Sequence, residues 1–217
     1  MPAANPALAT VEFYFDCGCP WSYLAHGRLR EAVIRTGARI VHRPVLLAEI
    51  SGNVHLAAPQ DDLSAARRRY RDKDLQDWAR FCGVPLHEPD SAHIDTRWAQ
   101  RGAIVAQRIG RVVPYLDAAY QARFADQRDI SQLAEITAVA ERAGLDADTF
   151  ATALHAPDTL AEVQANVARL LHHGGFGTPT MVVGTDLYFG NDRMPLVEIA
   201  LARAGGMRLV MPGEHRR

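Results

Sequence analysis

Cysteine is scarce in this chain of 217 residues: there are three, Cys17, Cys19 and Cys82. Three thiols make no disulfide framework, so the expectation is a reducing, cytoplasmic setting. Long apolar runs are also missing, and none reaches the length needed to span a bilayer. Residues 1–6 have neither the basic start nor the apolar centre of a secretion signal and read as a loose tail. There is no excess of one charge sign: the formal net charge of -1 argues against a broad surface for nucleic acid or an anionic membrane. The nine histidines form no H-E-x-x-H and no paired Cys/His spacing, so no metal site is expected. Neither a P-loop nor a G-x-G-x-x-G occurs, which leaves nucleotide binding without support. Hydrophobic residues make up 48% and charged residues 23%, enough for one large domain or one domain carrying an insertion.

The most informative stretch is residues 11–25. Val11, Phe13 and Phe15 alternate with Glu12 and Tyr14, which is the period of a strand. The pattern breaks at Asp16-Cys17-Gly18 and restarts as a helix at Pro20, a residue favoured at the first helical position. Cys19 is then the N-cap, with its sulfur at the positive end of the helix, where a thiol is expected to shift toward thiolate. A Cys17–Cys19 disulfide would close a small strained ring and is not expected.

Along the chain, the first helix is predicted over 20–36 and a second strand over 39–44, a βαβ unit with a parallel pair. Residues 46–59 read as a loop. Helical candidates follow at 61–82, 92–111, 115–126, 131–143 and 146–155, with Ser131 and Asp146 as caps, and then a longer one capped by Asp158. Strands at 180–183 and 187–189 flank Gly184-Thr185-Asp186, a hairpin turn. Asn191-Asp192 is read as the cap of a last helix over 193–204.

This order resembles an α/β thioredoxin-like fold with an all-helical domain inserted after the second strand. The implied division is residues 10–55 and 174–206 for the thioredoxin-like domain, 56–173 for the helical insert, and 1–9 and 207–217 for tails. Phe13-Tyr14-Phe15-Asp16 with Cys19-Pro20-Trp21-Ser22-Tyr23-Leu24-Ala25 resembles the opening signature of the 2-hydroxychromene-2-carboxylate isomerases and kappa-class glutathione transferases, DsbA-like proteins. Arg43-Pro44-Val45-Leu46-Leu47 with Gly52-Asn53 resembles their next block. Phe176-Gly177-Thr178-Pro179-Thr180 through Tyr188-Phe189-Gly190-Asn191-Asp192-Arg193 resembles their closing block. Tyr70-Arg71-Asp72-Lys73-Asp74-Leu75 and Phe81-Cys82-Gly83-Val84-Pro85 resemble the family's helical insert.

The resemblance implies a glutathione-dependent isomerase acting on a small aromatic 2-oxo acid, in which glutathione thiolate adds to the conjugated substrate, allows rotation and leaves. It implies a cis peptide at Thr178-Pro179 facing Cys19. It places Cys19, Asn53, Arg67, Thr178, Pro179, Asn191 and Asp192 on glutathione, and a homodimer fits the family. Trp21, Tyr23, Trp78 and Trp98 are candidates for lining the aromatic substrate, with core packing as their ordinary role. The family usually carries Ser where this chain has Cys19, and the related disulfide oxidoreductases carry a second Cys where this chain has Ser22. Two other readings therefore stand beside the first: a glutathione transferase or monothiol disulfide oxidoreductase using Cys19 itself, and a non-catalytic binding module.

Overall fold

The computed structural model describes residues 8–53, 65–87 and 94–207, the side chains of 51–53 excepted. Its centre is β1 (Thr10–Phe15), flanked by β2 (Arg39–Pro44) in parallel and by β3 (Thr180–Val183) antiparallel. β4 (Asp186–Phe189) returns beside β3, so the order is β2-β1-β3-β4. Gly184, at φ 62°, supplies the left-handed residue that the β3–β4 turn needs.

Between β1 and β2 runs α1 (Pro20–Thr36), closed by Gly37 in the left-handed conformation. Its buried Leu24, Ala25, Leu29 and Ala32 pack with Val11, Phe13 and Phe15 and with Val197 and Leu201 of α9 (Met194–Ala204). The opposite face of β1 is covered too. Tyr14, which the alternation placed outward, is buried with Val45, Ile50, Val167, Leu170 and Val182. Those partners belong largely to α2 (Leu47–Asn53) and α8 (Pro157–His172), so the sheet lies between two helical layers. The helical segment between β2 and β3 also holds α3 (Ala65–Cys82), α4 (Arg97–Arg108), α5 (Val112–Tyr120), α6 (Leu133–Arg142) and α7 (Ala147–Leu154). One π turn, Gln121–Ala125, prolongs α5.

Several boundaries differ from the sequence reading, each for a local reason. The stretch read as a loop contains α2, whose first amide, Leu47 N–H, donates to Asp16 at 2.9 Å. Asp146 caps α7 as expected, accepting from Thr149 N–H at 2.9 Å. Ser131 instead binds Asp129, and Gln132 stands at the start of α6. Pro157 opens α8, so Asp158 lies inside its first turn. Asn191 and Asp192 form a short 3-10 turn, and α9 begins after Arg193 without a side-chain cap.

Two core positions carry measurable consequences. Gly102 of α4 lies where an added Cβ would fall on the Tyr115 hydroxyl and 2.9 Å from the Phe150 ring. Tyr115 cannot easily yield, because it is buried and donates to the Ala99 carbonyl at 3.0 Å. Gly102→Ala should therefore cost about 1–3 kcal/mol in urea unfolding, despite the better helix propensity of Ala. His42 of β2 is buried edge-on to Phe13 and Phe15, and its Nε2 is buried without a hydrogen-bond partner. Burial above all, with the charges of His26 and Arg30, lowers its pKa to about 4. The unfolded chain thus binds a proton near pH 6.5 that the folded chain refuses until about pH 4. Stability should fall by about 3 kcal/mol as pH drops through this window. His42→Leu should flatten that part of the stability–pH curve, measured by chemical unfolding between pH 7.5 and 4.

Candidate active site

The turn between β1 and α1 is held by its own polar groups and by the insert. Cys19 N–H donates to the Asp16 carbonyl at 3.0 Å, and the Asp16 side chain accepts from Gly18 N–H at 2.8 Å. Gly18 is required by close approach, since a Cβ there would lie 2.9 Å from both Ile94 and Thr96. Asp16 is buried and also accepts from the Thr96 hydroxyl at 3.1 Å. Gln100 of α4 is fully buried beneath the same turn. Its carbonyl accepts from Cys17 N–H at 3.3 Å, while its amide donates to the Phe15 and Val45 carbonyls at 2.7 and 2.5 Å.

Cys19 stands at the N-cap of α1 with extended backbone, and Pro20 follows it. Its Sγ donates to the Thr178 carbonyl at 3.3 Å, across 159 residues of sequence. The Thr178-Pro179 peptide is cis, as the resemblance implied. The Pro179 carbonyl accepts from Gly190 N–H at 2.9 Å, which binds the closing block to the same end of the sheet. The expected shift toward thiolate is not what this setting produces. Burial pushes the Cys19 thiol up, only partly offset by hydrogen bonding with Thr178 and Ser22, and Asp16 adds to the rise. Cys17 is more deeply placed and is pushed well up by burial and then by Asp16.

The other sequence candidates separate into groups. Asn191 is buried, and its carbonyl and Oδ1 accept from Arg28 of α1 at 2.6 and 3.0 Å. Asp192 is exposed, 3.5 Å from Arg193. Two buried atoms in this region lack a hydrogen-bond partner: Thr178 Oγ1 and Asn191 Nδ2. Trp78 carries the Arg28 guanidinium 4.8 Å from its ring centre, with Phe81 beside it. Tyr23 is stacked on Tyr120 and Phe124 at 5.3 and 5.4 Å, in a packing role. Trp21 is partly buried against the main core. Trp98 packs within the insert, against His155 and Arg101. Arg67 lies on the exposed first turns of α3. Asn53 ends α2, and its side chain lies outside the described residues.

Sequence reasoning missed Gln100, Thr96 and Arg28. Gln100 left one faint signal, a polar residue on the face of α4 that also buries Ala99, Ala103 and Ala106. A cavity of about 360 Å³ between the β3–β4 hairpin and α9 shares no lining residue with the Cys19 turn. Among the described residues, no helix is long and apolar enough to cross a membrane.

The sequence matches the DsbA-like thioredoxin domain family over residues 10–202. A 2-hydroxychromene-2-carboxylate isomerase from Sphingobium xenophagum is 30% identical over 190 residues, covering 87% of this chain and 96% of the relative. A solved 2-hydroxychromene-2-carboxylate isomerase structure superposes with a TM-score of 0.79 at 27% identity, covering 89% of this chain and 95% of that one. A probable DsbA oxidoreductase from Streptomyces coelicolor gives 0.78 at 26% identity, covering 94% and 93%. With a helix start facing a cis-proline on this sheet, and on these matches, the chain belongs to the DsbA-like thioredoxin family and, within it, to that of the 2-hydroxychromene-2-carboxylate isomerases.

Proposed function

We propose that the chain is a glutathione-dependent isomerase of the 2-hydroxychromene-2-carboxylate type, working on a small aromatic 2-oxo acid in the cytoplasm as a homodimer. The supporting observation is the contact of Cys19 with Thr178 beside the cis-proline: a neutral S–H at the positive end of α1. Glutathione, when bound, supplies the thiolate that reversibly opens a conjugated double bond to rotation. On binding, Cys19 turns its single S–H from the Thr178 carbonyl to the cofactor sulfur, in the role the family usually gives to a Ser hydroxyl. The α1 N-terminus favours negative charge at the same place. Thr178, ahead of the cis Pro179, presents its backbone groups to an extended peptide, in the manner of strand addition. Asn191 and Asp192 are the proposed contacts of the γ-glutamyl group, the exposed Asp192 offering a charge for its ammonium. Asn53 and Arg67 complete the proposed cofactor contacts, and Trp21 and Trp78 stand nearest to a substrate-lining role.

The rising Cys19 pKa favours this reading over one in which Cys19 is the nucleophile, since a thiol held neutral attacks poorly. Conversion of 2-hydroxychromene-2-carboxylate, followed by absorbance, should require added glutathione. Cys19→Ser should keep activity within about threefold, whereas Cys19→Ala should lose roughly a hundredfold through the missing donor. Loss of activity in Cys19→Ser, with a Cys19–glutathione mixed disulfide in the intact mass of the wild type, would instead establish the monothiol oxidoreductase. Light scattering after size exclusion tests the homodimer.

A further inference from the structure

Arg28 of α1 directs its donors at one distant residue. Its Nη1 donates to the Asn191 carbonyl at 2.6 Å and to Asn191 Oδ1 at 3.0 Å, across 163 residues of sequence. The guanidinium also lies 4.8 Å from the ring centre of Trp78 and 5.6 Å from that of Phe81, two α3 rings that meet edge to face. Asn191 is thus fixed at both oxygens, and it is 2% exposed. Its two chain neighbours are the ones that reach the site. Gly190 N–H donates to the Pro179 carbonyl at 2.9 Å, one residue on from the Thr178 carbonyl that takes the Cys19 S–H at 3.3 Å. Asp192 folds back over the same turn, where a Cβ added at Gly190 would lie 2.6 Å from its Oδ1. One arginine therefore holds the residue that joins the cis-proline contact to the exposed carboxylate.

We propose that Arg28, braced by Trp78 and Phe81, is a positioning residue for glutathione: by fixing both Asn191 oxygens it sets the closing turn, and with it the Asp192 carboxylate, where the γ-glutamyl end binds. The proposal rests on the glutathione-dependent reading, and it makes the helical insert, through α3, a support of the cofactor site. Plain fastening of α1 to the closing segment is the rival explanation. Arg35 supplies the control, since it lies further along α1 and holds Glu198 of α9 at 2.6 and 2.9 Å, with its side chain 51% exposed.

Titration calorimetry of glutathione on the full chain, beside steady-state kinetics on 2-hydroxychromene-2-carboxylate, separates the two. Arg28→Met should weaken glutathione binding about tenfold, the scale of hydrogen bonds from a charged donor, and raise the KM for glutathione to match. It should leave kcat and the KM for the aromatic substrate within about twofold. Arg35→Met cuts an exposed tie between the same two helical regions and should leave glutathione affinity within about twofold. Phe81→Ala, at an exposed ring, removes part of the brace and should weaken glutathione about threefold. An unmoved glutathione affinity in Arg28→Met, equal changes in all its constants, or a matching loss in Arg35→Met would overturn the proposal. If Arg28→Met does not fold, Phe81→Ala decides, and an unmoved affinity there sinks it. A wild type that binds no glutathione removes the cofactor reading and the proposal together; one that binds it, with Arg28→Met unchanged, removes the proposal alone.

Discussion

The turn that ends β1 is buried, and its backbone groups must be paired from elsewhere in the chain. An unpaired buried amide or carbonyl costs about 1–3 kcal/mol, so this requirement constrains the surrounding elements strongly. Gln100 answers it with three hydrogen bonds, to Cys17, Phe15 and Val45, and Asp16 answers it from within. Gln100 belongs to the helical insert. The sheet and the insert therefore share one polar core at the candidate site, and neither completes the Cys19 turn alone. Ile94 and Thr96 reinforce the join by packing so closely on Gly18 that no side chain fits there.

Two opposing effects meet at Cys19, and their sizes decide its state. A helix N-terminus stabilises an anion by about 0.3–1 kcal/mol, or about 2 in partly buried geometries. Full burial of an ionisable group can shift its pKa by several units, each worth about 1.4 kcal/mol. Cys19 is 5% exposed and the Asp16 charge lies nearby, so burial wins and the resting group is a thiol. A thiol still offers a donor, and the Thr178 carbonyl already takes it.

Much of this was legible in the sequence because it is local. Pro20 opens α1, Gly37 closes it, and Gly184 turns the last hairpin, each through backbone preferences that a few adjacent residues determine. The features that escaped are those fixed at a distance. Helix α2 contains Ser51-Gly52-Asn53, which reads as a turn, and its first amide is held by Asp16, 31 residues earlier. Tyr14 follows a strand alternation that points it to solvent, and only the later arrival of α2 and α8 buries it. Ser131 has the chemistry of a cap, but Asp129 two residues away competes for its hydroxyl and amide. Local propensity was right about which residues hydrogen-bond and wrong about the partner.

Asn191 carries the same lesson into the candidate site. Read alone, Asn191-Asp192 is a helix cap; in the fold, Arg28 has taken both Asn191 oxygens. The guanidinium is itself stacked on Trp78 of α3, so α1, the insert and the closing turn are fastened at one point. That fastening decides what polarity remains. With its carbonyl and Oδ1 engaged, the Asn191 side chain keeps only Nδ2 without a partner, and that atom is buried. Asp192, next in sequence, is exposed and lies 3.5 Å from Arg193. Two adjacent residues that together read as one cap thus part in the fold, one buried on Arg28 and the other exposed, and Arg28 makes the difference.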